Sequence, residues 1–119
     1  MFFPEKKNKD DKEMFDDVVK TILKLLGDDV VKIILYGSVA RGDNTWESDV
    51  DIAVLTRRKI DECEKNKLLD LIVQLNFKYE TIFSVKMIEE NYFNEWQFDL
   101  PFFYNIDEEG IILWNKNAA

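Results

Sequence analysis

The stretch Leu35 to Leu55, LYGSVARGDNTWESDVDIAVL, decides how the rest of the chain is read. Its first two residues close a short run, Val30 to Tyr36 (VVKIILY), that is nearly all apolar and rich in β-branched side chains. That composition suits a central strand covered on both faces. Gly37-Ser38 follows at once and predicts a sharp turn, Val39 to Gly42 a short helical turn, and DNTWES a loop. Asp49 to Leu55 (DVDIAVL) alternates acidic and apolar residues before becoming fully apolar, as expected of a strand that starts at an open site and ends buried.

Asp49 and Asp51 are two residues apart, so on a strand both side chains leave the same side of the sheet. Two carboxylates held that way repel each other unless a cation lies between them. The chain has no histidine and one cysteine, and hard oxygen ligands in that setting favour Mg²⁺ or Mn²⁺ over zinc. Gly37 lets the backbone approach a ligand, Ser38 adds a hydroxyl, and the amides of the following turn can point at an anion. Turn and acidic strand together describe a site for a metal-chelated triphosphate. Either half alone is commonplace, as a Gly-Ser turn or a solvated strand end. Their joint occurrence, ten residues apart between two strand-like runs, carries the reading.

Composition narrows the chemistry further. Without histidine, His-based acid–base catalysis and Ser-His-Asp or Cys-His triads are excluded. The lone Cys63 excludes an intrachain disulfide and points to a reducing, cytoplasmic setting. A formal net charge of -8 argues against a protein whose main task is gripping a nucleic-acid backbone. No apolar run reaches the length of a membrane span, and the N-terminus lacks the hydrophobic stretch of a secretory signal. At 119 residues and 46% hydrophobic content, one domain with a real core is expected, residues 12–119 behind a flexible tail of residues 1–11.

Outward from the opening stretch, apolar residues recur at helical spacing from Lys12 to Leu26, with Asp10 or Asp11 as N-cap and Gly27 as stop. Arg57, Arg58 and Lys59 close the second strand as a solvated end. Asp61 and Glu64 form a capping box for a helix from Glu62 to Phe77. Thr81 to Ile88 predicts a third strand, with Thr81, Phe83, Val85 and Met87 on one face and Glu80, Ile82, Ser84 and Lys86 on the other. A short aromatic helix from Asn91 to Phe98, a last helix from Pro101 to Gly110 and a final short strand or extended tail from Ile111 to Trp114 complete the order. The whole is a mixed α/β (α+β) domain, with a small sheet and helices mainly on one face.

These residues resemble the signature of the minimal nucleotidyltransferases, small members of the DNA polymerase β superfamily. That pattern is Gly-Ser, ten residues and Asp-x-Asp, often with an Ala-Arg-Gly segment and a Ser before the first Asp; Ala40-Arg41-Gly42 and Ser48 stand in those places. The downstream PFFYNIDEEGIIL also looks like members of this family. The resemblance implies the nucleotidyltransferase fold and two divalent ions, Mg²⁺ or Mn²⁺, at Asp49 and Asp51. It implies ATP or another nucleoside triphosphate bound against Gly37 and Ser38, with Arg41 and Ser48 beside it. A third carboxylate on a neighbouring strand usually completes such sites. Glu80 is the candidate for it, although the family usually offers Asp there, and Ser84 and Lys86 are the fallback residues lining that face.

The family's small members are typically encoded with a helical HEPN-domain protein, in a pair resembling a toxin–antitoxin system. The resemblance therefore implies transfer of AMP from ATP to a tyrosine of the HEPN partner, with this chain as antitoxin. A chain this short lacks the extra helical domain that holds the acceptor in larger relatives, so a partner or a homo-oligomer would supply it. Two alternatives stand beside this reading. One is a binding module that neutralises a HEPN partner by contact. The other is an antibiotic-modifying nucleotidyltransferase, disfavoured because the acceptor-binding half is missing.

Overall fold

The apolar run at the head of the opening stretch forms β1 (Val30–Tyr36), and the acidic run that follows forms β2 (Val50–Thr56). The two pair antiparallel at the centre of a four-stranded sheet. The computed structural model describes residues 9–42, 49–96 and 99–116. The edge strands are β3 (Phe83–Glu89), parallel to β2, and β4 (Ile111–Asn115), antiparallel to β1. A parallel neighbour needs a crossover, and helix α3 (Glu62–Tyr79) supplies it between β2 and β3.

Helices cover both faces of the sheet. Ile33, Leu35, Val50, Ile52, Val54 and Phe83 point to a layer made by α3 and the N-terminal helix α1 (Lys9–Leu26), where they meet Val18, Ile22, Leu68 and Ile72. Ile34, Tyr36, Ala53, Leu55 and Ile88 point the other way, to Phe93 of α4 (Glu90–Trp96) and to Phe103 and Ile106 of α5 (Pro101–Glu109). The expectation of helices mainly on one face thus describes the two long helices; the short, aromatic α4 and α5 close the opposite face. Several of these core side chains have no exposed surface, and burying each is worth about 2 kcal/mol.

The boundaries differ from the sequence pattern where tertiary partners intervene. Helix α1 starts at Lys9, so Asp10 and Asp11 lie inside it rather than capping it. Helix α3 runs on to Tyr79 because its last turn is tied to α1: the Tyr79 hydroxyl donates to Asp17, and Lys78 Nζ reaches the same carboxylate at 2.9 Å. At its start, the Asp61 carboxylate accepts the Glu64 N–H at 2.8 Å. The Glu64 side chain turns away from the cap and takes the Arg58 guanidinium instead. The last two residues expected in the aromatic helix, Gln97 and Phe98, lie outside the described residues. Among the described residues, no helix is long and apolar enough to cross a membrane.

Candidate active site

The antiparallel register of β1 and β2 sets Tyr36 directly opposite Asp51. The residue that ends one strand therefore faces the second aspartate of the other, and the Gly37-Ser38 turn emerges beside it. Gly37 has φ +78°, and an added Cβ would overlap the Asp51 carboxylate. Glycine is required here twice, for the left-handed backbone and for the close approach. From Gly37 the chain enters a short helix, α2 (Gly37–Arg41), which carries Ser38 and ends on Gly42 at φ +80°. Asp49 precedes β2 and is exposed, while Asp51 is half-buried. The start of β2 is anchored by the Val50 N–H, which donates to the Ile82 carbonyl at 2.8 Å.

Alternation along β2 turns Asp51 toward the face covered by α4 and α5, the same side as Ala53 and Leu55. Ser84 of β3 is in register with Asp51 and Lys86 with Ala53, and both share that face, since Val85 and Met87 pack against the opposite one. The electrostatics follow from this placement. Burial raises the Asp51 carboxyl above its ordinary value, the charge of Asp49 raises it further, and Lys86 and Arg41 pull it back. Tyr36, buried and lying beside Asp51, has its phenol pushed up to about 12, so it stays protonated and available as a hydrogen-bond donor. Its ring stands edge-on to Phe102 of α5 with centroids 5.5 Å apart. The sequence reading passed over Tyr36; the signal was its position as the last residue of a buried strand immediately before the glycine turn.

Of the residues expected at the site, Gly37, Ser38, Asp49 and Asp51 come together at the open end of the β1–β2 pair. Arg41 lies at the end of α2, ion-paired with Glu109 of α5 at 3.2 Å. Ser48 lies outside the described residues, as do Asp43, Trp46 and Glu47 of the same loop. Among the described residues, Glu80 forms no three-carboxylate group with the aspartates. It is exposed and closes α3 in the left-handed conformation at φ 51°, its N–H and that of Thr81 both donating to the Asn76 carbonyl. The Asn76 side chain then accepts the Phe83 N–H at 2.8 Å, and β3 begins only there. Glu80 is consequently part of the helix cap rather than of the strand. Among the described residues, no three acidic or other metal-ligating side chains converge on one point.

Asp49 and Asp51 nevertheless have the chemistry of a divalent-cation site. They are hard oxygen donors of like charge, one of them desolvated, and a cation would offset both the burial and the repulsion. Two carboxylates suffice for an ion that takes its remaining ligands from phosphates and water.

Arg57 and Arg58 lie at the far end of β2, a strand length of about 20 Å away. Both guanidinium groups contact Asp29, at 3.1 and 2.8 Å, and Arg58 also pairs with Glu64 at 2.8 Å. They serve the fold and are out of reach of a triphosphate held at Asp51.

Comparison with known proteins places this arrangement in a wider context. The family model described as polymerase β, nucleotidyltransferase, matches residues 18–119. A protein of Methanocaldococcus jannaschii named as a protein adenylyltransferase is 35% identical over 85 residues, 71% of this chain and 79% of its own. A second protein of that organism with the same designation is 35% identical over 72 residues, 60% of this chain and 73% of its own. Among solved structures, the complex of the tri-AMPylated Shewanella oneidensis HEPN toxin with an MNT antitoxin contains a chain that superposes with a TM-score of 0.55 at 18% identity, over 88% of this chain and 72% of that one. A toxin–antitoxin structure with AMP-PNP matches with a TM-score of 0.53 at 22% identity, over 82% and 73% of the two chains. These structures share the fold.

Proposed function

This chain belongs to the polymerase β nucleotidyltransferase family, and from that premise we propose that it transfers AMP from ATP to a hydroxyl side chain of a HEPN-domain partner, acting as the antitoxin of a toxin–antitoxin pair. The observation that carries the proposal is the convergence of the Gly37-Ser38 turn with Asp49 and Asp51 through the Tyr36–Asp51 register. The relatives named as protein adenylyltransferases and the fold shared with a complex of an AMPylated HEPN toxin support the choice of AMP and of partner.

In this reading Asp49 and Asp51 hold divalent metal, Mg²⁺ or Mn²⁺, which when bound neutralises charge on the phosphates. The turn at Gly37 lets the backbone and the Ser38 hydroxyl approach the β- and γ-phosphates. The acceptor oxygen attacks the α-phosphorus in line, the bond to the bridging oxygen breaks, and pyrophosphate leaves. Catalysis rests on positioning and charge, with no covalent enzyme intermediate. Arg41 and Ser48 are the further nucleotide-binding residues in this reading.

Purified protein with Mg²⁺ and α-labelled ATP is expected to label the HEPN partner, and Asp49→Asn with Asp51→Asn to abolish the label. Unchanged labelling by the double variant would overturn the proposal. One observation favours a second reading, a module that neutralises the partner by contact alone: only two carboxylates converge among the described residues. Neutralisation of the toxin that survives the double variant selects that reading.

A further inference from the structure

The position on β3 that faces Asp51 is occupied by Ser84, and the next residue on that face is Lys86. Neighbouring strands lie about 4.8 Å apart, so a carboxylate at residue 84 would share an ion with Asp51. A neutral hydroxyl on a single carbon contributes no charge there. Lys86 is exposed, and its register partner Ala53 has the smallest side chain on that face, leaving the ammonium room to lie toward Asp51. The carboxylate nearest in sequence to β3 on its N-terminal side, Glu80, is held in the cap of α3 by Asn76.

We propose that this site takes one divalent ion and that Lys86 supplies, as a fixed cation on β3, the positive charge a second ion would bring to the acceptor side. The inference rests on the nucleotidyltransferase reading and deepens it. Two carboxylates, one lysine and one divalent ion carry the same net charge as three carboxylates with two ions, so the field offered to a triphosphate is conserved while one ion is dispensed with. In the transfer step the acceptor hydroxyl gives its proton to water. Its oxygen forms the new bond to the α-phosphorus, and the electron pair of the broken phosphoanhydride bond leaves with pyrophosphate. Lys86 stabilises the charge that develops on the acceptor oxygen.

The decisive measurement is the number of Mn²⁺ ions bound per bound α,β-methylene-ATP, counted by electron paramagnetic resonance. One ion is expected for the wild type, and two for the Ser84→Asp/Lys86→Ser double variant. Lys86→Met, a change at an exposed position, is expected to keep one ion and an analogue affinity within about twofold, yet to slow labelling of the HEPN partner by about tenfold or more. Lys86→Arg should restore most of the rate. Two ions in the wild type, or full-rate labelling by Lys86→Met, would overturn the assignment of Lys86 while leaving the nucleotidyltransferase reading intact. A wild type that binds neither Mn²⁺ nor the analogue defeats that reading itself. The wild-type count and the Lys86→Met rate decide the matter even if the double variant fails to fold.

Discussion

The two ends of β2 hold charge in opposite ways. At its far end, Arg57 and Arg58 meet Asp29 and Glu64 in a network of opposite charges, joined by the Arg57 N–H to the Asp29 carbonyl at 2.9 Å. At its near end, Asp49, just before the strand, and Asp51, within it, are like charges two residues apart, with Gly37 pressed against Asp51. The first arrangement is complete within the fold. In the second, the burial of Asp51 and the charge of Asp49 are offset only in part, by Lys86 and Arg41. A charged cluster that the fold neutralises serves the architecture, and one that it leaves strained is a candidate site.

Substitutions that act on one end alone test this contrast, and Gly37→Ala should have the largest effect. It forces a left-handed backbone on a residue with a Cβ and drives that carbon into the Asp51 carboxylate, costing about 1–3 kcal/mol of stability along with nucleotide binding. Thermal unfolding and analogue titration of the same sample read both. Asp51→Asn follows, with transfer expected to fall by about 100-fold or more because metal charge stabilisation is worth several kcal/mol.

The same variant should be more stable than the wild type at neutral pH in the absence of metal. Asp51 has a raised carboxyl value, so its charged form opposes folding above that value, and the penalty fades as pH falls toward its ordinary 3.8. Asp29 behaves in the reverse sense. Its arginine partners lower its value, so its stabilising contribution is complete above 3.8 and is lost as pH falls through the lowered folded value. Denaturant midpoints of Asp51→Asn and Asp29→Asn across pH 3 to 7 should therefore lie on opposite sides of the wild type at pH 7 and converge in acid. Parallel curves would break the contrast.

Glu80→Gly should raise stability by about 1 kcal/mol, since glycine adopts the left-handed cap without steric cost, and should leave metal binding unchanged. Loss of metal binding would return Glu80 to the site. The smallest effect is expected from Arg58→Ala. It should lower the melting temperature slightly, by an amount that shrinks in high salt, without altering nucleotide affinity.

Much of this was legible in the residues. The runs VVKIILY and DVDIAVL read as strands because their patterning is local, and Gly37-Ser38 with Asp-x-Asp marked the chemistry because hairpin-like neighbours in sequence are neighbours in space. Asp61 was readable as a cap for the same reason, since the donor it satisfies is three residues away. Tyr36 was not legible as a neighbour of Asp51 because an aromatic at the end of an apolar strand looks like core; it is core, and the strand register also sets it opposite Asp51.

By itself, then, the sequence determined the central strand pair, the glycine turn and the two aspartates, all consequences of interactions within about twenty residues. Which side chain of β3 faces Asp51 was decided only by the tertiary structure. That register depends on how far α3 runs before Asn76 and Glu80 close it, and on the tie of Tyr79 and Lys78 to Asp17, on a helix some sixty positions earlier in the chain. Periodicity carries no information across such a separation. A shift of one residue would turn Ser84 and Lys86 away and bring their neighbours to the site.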